Sequence, residues 1–245
     1  MQSFSSNLLL SCFAPPDVEA LRPHLRPVVL EHTKILHEAG EKISGVYFPF
    51  DAVISLVVLL EGGETVEAAM VGRDGVVGAS AALDGKLALN RAIVQIGGHG
   101  VVCEPDAFKR VALDRPGMLS MIISHEQTVY GQAQQSAACN ILHDSTARLC
   151  RWLLRARDLS GNDTLPFTQE FLAEMLGVRR TTVSPVAHTL QAAGMIRYRR
   201  GKIEITNVEA LRESACECYE TVRNNYDRLL GHNRNSEPDH AAPKS

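Results

Sequence analysis

Arg179 and Arg180 stand where a short amphipathic segment begins, followed by Thr181, Thr182 and Ser184, with His188 a turn further on. A guanidinium grips a guanine edge or a phosphate through two parallel hydrogen bonds, and a hydroxyl reaches either kind of acceptor. Downstream, "GMIRYRRGKIEIT" reads as strand, turn, strand, with Arg199, Arg200, Gly201 and Lys202 at its tip. From Gly177 to Lys202 there are six basic residues (Arg179, Arg180, Arg197, Arg199, Arg200 and Lys202) and no acidic one. A solvated face mixes signs. A one-signed stretch in a chain of net charge −3 therefore points to a local phosphate-binding patch, not to global attraction.

Side chains of this kind need a scaffold that holds them still. In the twenty residues from Gln169 to His188, Ala173, Gly177 and Val183 take the fifth, ninth and fifteenth places. A small residue lets two helices cross closely, a glycine permits the positive φ of a tight inter-helix turn, and an apolar residue turns the second helix inward. Leu172, Met175, Leu176 and Leu190 supply the rest of the buried face, and Thr168 is the expected N-cap hydroxyl. The pattern is a helix-turn-helix followed by a wing. It assigns Arg179, Arg180, Thr181, Thr182, Ser184 and His188 to a DNA major groove, with Thr168 and Gln169 at the start of the first helix. Arg199, Arg200 and Lys202 would hold the phosphate backbone. Pro185 lies about six places into the second helix and crowds the carbonyl of Thr181, so a kink or an irregular first turn is expected there.

The 245 residues suffice for one large domain or two modest ones, and 45% hydrophobic with 22% charged residues is globular composition. The first half reads as β. "GVYFPFDAVISLVVLLEGGETVEAAM" breaks at Gly62-Gly63 as a hairpin would, and "NRAIVQIGGHGVVCEP" repeats the pattern with Gly97-Gly98 as its turn. Short strands at close spacing suggest a small barrel or jelly roll, with helical pieces at "PDVEALRPHL" and "PDAFKRVAL". After Pro116 a long helical run follows. Leu119, Ile123, Glu126, Tyr130, Ala133, Ala137 and Asn140 keep a 4-3 spacing along it, which predicts a helix–helix seam between two copies of the chain. A second helix from Asp144 to Leu159 packs through Leu149, Trp152 and Leu153 and ends at Gly161.

The six cysteines are scattered, with no CxxC pair, and read as buried or free thiols of a reducing cytoplasm. Cys216 and Cys218 fall on a helical segment where i and i+2 face different directions, so no metal site is expected there, and no cofactor is expected elsewhere. The longest apolar run, Val53–Leu60, is far below the ~20 residues of a membrane span, which leads to a cytoplasmic localisation.

The order β-roll, long helix, winged helix-turn-helix resembles the Crp/Fnr superfamily of bacterial transcription regulators, over roughly residues 20 to 210. "HTKILHEAGEKISGVYFPFDAVISL" looks like that family's opening strands, and "FTQEFLAEMLGVRRTTVSPVAHTLQAAGMI" is similar to its helix-turn-helix. The resemblance implies an α+β fold. Residues 1–117 would be a double-stranded β-helix (the jelly-roll-like sensor), 118–141 a central dimerisation helix, 142–230 the winged helix-turn-helix and 231–245 a disordered tail. It implies a homodimer on a near-palindromic operator, with RNA polymerase as a further partner if the protein activates, and no enzymatic activity. Cyclic-nucleotide-binding members use a Gly-Glu pair and a following Arg. Here Gly78 is followed by Ala79, and Asn90 competes with Arg91 for the aligned place, so the loop with Gly72, Gly78, Ala79, Ser80, Asn90 and Arg91 marks an effector pocket that has lost its ribose carboxylate. The iron–sulfur branch needs clustered amino-terminal cysteines, and only Cys12 is there; His99, Cys103 and His125 stand apart as haem ligands. The alternatives are a cyclic-nucleotide-responsive regulator and a cupin-like metal enzyme. The second would draw on His24, His32 and His37, which lack an H-x-H spacing.

Overall fold

The computed structural model describes residues 6–231. Apart from Gly231, the tail expected over 231–245 lies outside them. Helices α1 (Leu8–Cys12) and α2 (Pro15–Leu21) lead into β1 (Leu25–Leu30), β2 (Ile35–His37), β3 (Val46–Pro49), β4 (Val53–Leu59) and β5 (Thr65–Val71). After helix α3 (Ala79–Leu83) come β6 (Arg91–Ile96), β7 (Gly98–Cys103) and α4 (Pro105–Leu113). The strands form two antiparallel sheets, β1-β7-β3 and β2-β6-β4-β5. Leu30 and Tyr47 of the first meet Ile54, Val71 and Val94 of the second in a shared interior. Each sheet keeps two edge strands, β1 and β3 in one and β2 and β5 in the other.

The Gly62-Gly63 hairpin forms as the pattern predicts, joining β4 to β5. Gly97-Gly98 does not make a hairpin. β6 and β7 belong to different sheets, and the two glycines take the chain round the corner between them. A Cβ at Gly98 would sit 2.7 Å from the Ala52 nitrogen, so glycine is required there for close approach of backbone and not for a turn.

Helix α5 (Pro116–Leu142) is the long helix, and α6 (Ser145–Ser160) follows after a break at His143 and Asp144. Asp144 caps α6 by accepting from the amides of Thr146 and Ala147, and Gly161 ends it with a φ of +67°. The buried face of α5 is Met118, Ile122, His125, Gln132, Ser136 and Cys139, against α3, α4, β5 and the carboxy-terminal helix α10 (Cys218–Leu229). The predicted seam lies one residue further round. Leu119, Glu126 and Ala133 are half-buried, while Ile123, Tyr130 and Ala137 are exposed, with Tyr130 66% accessible.

The remaining elements are β8 (Thr164–Leu165), α7 (Gln169–Leu176), α8 (Arg180–Ala192), β9 (Ile196–Arg199), β10 (Lys202–Ile205) and α9 (Val208–Glu213). β8 adds a third strand to the expected wing, in the order β8-β10-β9. One core runs from the roll into this unit. Val53, Val57 and Met70 pack with Trp152, Leu153, Phe167, Leu172 and Met175. Trp152 lies edge-on to Phe167 at 4.7 Å between ring centres, and its Nε1 donates to buried Glu67 Oε1 at 2.8 Å. Ser55 donates to the other carboxylate oxygen. Burial pushes the Glu67 carboxyl up to about 7, against the pull of Ser55, Arg151 and Trp152. Arg155, buried on α6, pairs with Asp74 at 2.7 Å and lies 4.2 Å over the ring of Tyr226.

The helical placement expected for both Cys216 and Cys218 is overturned. Cys216 precedes α10 and only Cys218 is within it, so the helical argument does not apply and the two thiols converge with Cys139 and His143.

Candidate nucleic-acid interface

The helix-turn-helix spacing folds as its residue types require. Thr168 Oγ1 accepts from the Phe171 amide at 3.1 Å and starts α7. Gly177 ends α7 at φ +61°, the left-handed conformation that only glycine adopts without strain. Val183 and Leu190 of α8 are buried with Leu172, Ala173, Met175 and Leu176 of α7 in one core. Helix α8 runs unbroken from Arg180 to Ala192 with Pro185 inside it. The kink or irregular turn expected at Pro185 does not interrupt it. The lost hydrogen bond is that of the Thr181 carbonyl, on the exposed first turns of the helix.

Side-chain bonds join the beginning of α7, the first turns of α8 and the wing into one surface. Ser184 Oγ donates to Gln169 Oε1 at 2.7 Å, the Tyr198 amide donates to Gln191 Oε1 at 2.8 Å, and Gly201 stands against the methyl of Thr168. Arg179, Arg180, Thr181, Thr182 and His188 are exposed on the leading face of α8. At the wing tip, Arg200 (φ +48°) and Gly201 make the turn, and Arg199, Arg200 and Lys202 are exposed.

Two details were hidden in the sequence. Arg180 pairs with Glu170 at 3.1 Å and Arg197 with Glu204 at 2.9 Å, so acids from outside the one-signed stretch answer two of its six cations. Arg179, Arg199, Arg200 and Lys202 make no ion pair among the described residues. Ser184 is held by Gln169 and its own helix, so its hydroxyl braces α8 against α7. Helix periodicity in α7 and α8 would have found the Gln169–Ser184 approach had both faces been drawn together.

The expected effector residues divide. A cavity of about 460 Å³ between the roll and α5 is lined by Gly78, Ser80 and Asn90, with His37, Glu126 and Tyr130 among the rest. Gly72, Ala79 and Arg91 do not line it. Gly72 lies against Leu159 of α6, where a Cβ would come within 2.8 Å, and Ala79 is buried in the helix-side core. Arg91 pairs with Glu38 at 2.7 Å and faces a smaller cavity beside α7. Neither Lys nor Arg lines the larger cavity among the described residues. Burial lowers the His37 pKa, favouring its neutral form.

Residues 147–214 match the Crp-like helix-turn-helix domain family. No curated protein matches the chain in sequence. Solved structures share its fold. A Crp/Fnr-family regulator of Eubacterium rectale, described as putative, is 15% identical, with 90% of this chain and 99% of that one covered at a TM-score of 0.65. A CRP-family transcriptional regulator of Thermus thermophilus is 21% identical over 78% of this chain and 96% of its own, at 0.62. FixK2 of Bradyrhizobium japonicum is 15% identical over 78% and 98%, at 0.66. Among the described residues no helix is long and apolar enough to cross a membrane. Residues 147–214 are thus a Crp-like helix-turn-helix domain, set on a roll and long helix whose fold the solved Crp/Fnr-family regulators share.

Proposed function

We propose that the protein works as a homodimer on a near-palindromic operator, with the start of α8 in the major groove and the wing on the flanking backbone. The observation that carries this is the cluster of unpaired exposed cations, Arg179, Arg199, Arg200 and Lys202, on a surface that Gln169 and Ser184 hold rigid. Arg179, Thr181 and Thr182 reach base edges at the helix start. Arg180 joins them by exchanging Glu170 for the DNA, and His188 contacts the groove wall. Thr168 and Gln169 position the entry of α7. The dimer forms along the exposed side of α5 through Ile123 and Tyr130, flanked by Leu119, Glu126, Ala133 and Ala137.

The effector we assign to the 460 Å³ cavity is a small, largely apolar molecule and not a cyclic nucleotide. Two facts support this: the cavity has no Lys or Arg to meet a phosphate, and Arg91 is occupied by Glu38. The protein acts on DNA and not as an enzyme, and RNA polymerase is its partner where it activates. A binding selection on genomic fragments with purified protein, across a salt titration, tests the reading. An inverted repeat should be enriched, and Arg199→Ala and Arg200→Ala, each removing one phosphate contact per subunit, should each reduce the salt slope of the dimer's binding by about 2, evenly across sequences. Arg179→Ala should instead relax preference at one base position, by about 1–3 kcal/mol. No enriched repeat, or slopes unchanged in the wing variants, refutes it.

A further inference from the structure

Four side chains from distant parts of the chain meet where the long helix ends. Cys139 is in the last turn of α5 and His143 is its C-cap, one helical turn on, so both point the same way. Cys216 and Cys218 come from the approach and first residue of α10, which folds back along α5. Their ligand atoms all lie within 4.8 Å of one another, although Cys139 and Cys216 are 77 positions apart. Cys139 Sγ is 3.5 Å from Cys216 Sγ, and Cys218 Sγ is 3.6 Å from His143 Nδ1. Around a tetrahedral zinc, bonds of about 2.3 Å to sulfur and 2.0 Å to nitrogen set neighbouring ligand atoms about 3.5–3.8 Å apart. A two-iron cluster would spread its ligands in pairs across two metals, wider than these atoms stand.

The surroundings fit the same ion. His143 presents Nδ1 to the thiols while its Nε2 meets Glu217 at 3.3 Å, the carboxylate–histidine relay that orients a metal ligand. Gln135 donates to Cys218 Sγ at 3.1 Å. Three thiolates and a divalent cation carry one net negative charge. The buried guanidiniums of Arg148 and Arg151 act on Cys139, and the Nε of each has no hydrogen-bond partner among the described residues.

We propose that Cys139, His143, Cys216 and Cys218 form a mononuclear Cys3His site for Zn2+, fastening α10 to the junction between the long helix and the DNA-binding unit. The site closes a long loop of chain onto the break at His143 and Asp144, the one place where the direction of α6 relative to α5 is set by a short link. A structural ion is the natural occupant, because four protein ligands leave no open position for a substrate.

Full-length protein without a histidine tag, incubated with Zn2+ and desalted, tests this by elemental analysis and by Co2+ substitution. About one zinc per chain is expected, with intense tetrahedral d–d bands and thiolate-to-cobalt charge transfer in the Co2+ form. Cys216→Ser with Cys139→Ser should abolish stoichiometric zinc, whereas Cys150→Ser, outside the cluster, should retain it. Glu217→Gln should weaken zinc about 10- to 100-fold in chelator competition. Less than stoichiometric zinc in the wild type, a weak octahedral Co2+ spectrum, or full retention by the double variant overturns the proposal. If the double variant fails to fold, the wild-type Co2+ spectrum and protection of three thiols by zinc decide.

Discussion

At the scale of single residues, Glu67 carries the clearest consequence. The unfolded chain releases its proton near 4.5, whereas the fold holds it to about 7 because burial disfavours the charge. Between those values the unfolded state binds fewer protons than the folded one, so stability falls as pH rises through the window and then levels off. The total is about 3 kcal/mol. Thermal melts from about pH 5 to 8 should show this decline in the wild type, and Glu67→Gln should flatten it while keeping an acceptor for Trp152. An unchanged profile in the variant would place the titration elsewhere. Residues of this kind were not legible in the sequence. Glu67 stands on β5, and its partner Trp152 arrives from α6, 85 positions later. The cations of α8 and the wing were legible as a patch because they are neighbours in the chain. Their partners Glu170 and Glu204 were not, since each pairs across an element boundary.

Among elements, local rules were the most readable. The spacing of Ala173, Gly177 and Val183 answers to contacts within one helix pair, and it folds as written. Gly177→Ala should destabilise the protein by about 1–2 kcal/mol, because the left-handed turn is retained and the new Cβ stands 3.3 Å from Val66. Thr168→Ala should remove about 1 kcal/mol through the lost cap. Chemical denaturation measures both, and a neutral Gly177→Ala would mean that the turn relaxes away from φ +61°. Where elements meet from afar, the sequence was ambiguous. Gly97-Gly98 carries the same local signal whether the next strand returns alongside or crosses to another sheet. The 4-3 repeat along α5 was real, yet two such stripes exist one residue apart. One is buried within the chain against the roll and α10, and the other alternates half-buried and exposed positions. The convergence of Cys139 with Cys216 depends wholly on α10 lying back along α5.

For the molecule as a whole, the exposed stripe of α5 bears on assembly. Ile123 and Tyr130 present apolar surface that the described residues do not cover. Ile123→Glu with Tyr130→Glu should convert a dimer to a monomer in light scattering and lower operator affinity by at least about tenfold, since only one half-site is then engaged at a time. A variant that remains dimeric would move the interface off α5. The core that joins Val53 and Met70 of the roll to Trp152 and Phe167 has a further effect. Neither half can melt while the other keeps its packing, because each supplies part of the other's apolar interior. Heating should therefore give a single calorimetric peak with matching van't Hoff and calorimetric enthalpies per cooperative unit, and two separable peaks would mean that the joint core is dispensable. A chain built this way does not carry its helix-turn-helix unit on a loose tether: any signal that reorients that unit must be strong enough to work against the cohesion of the joint core.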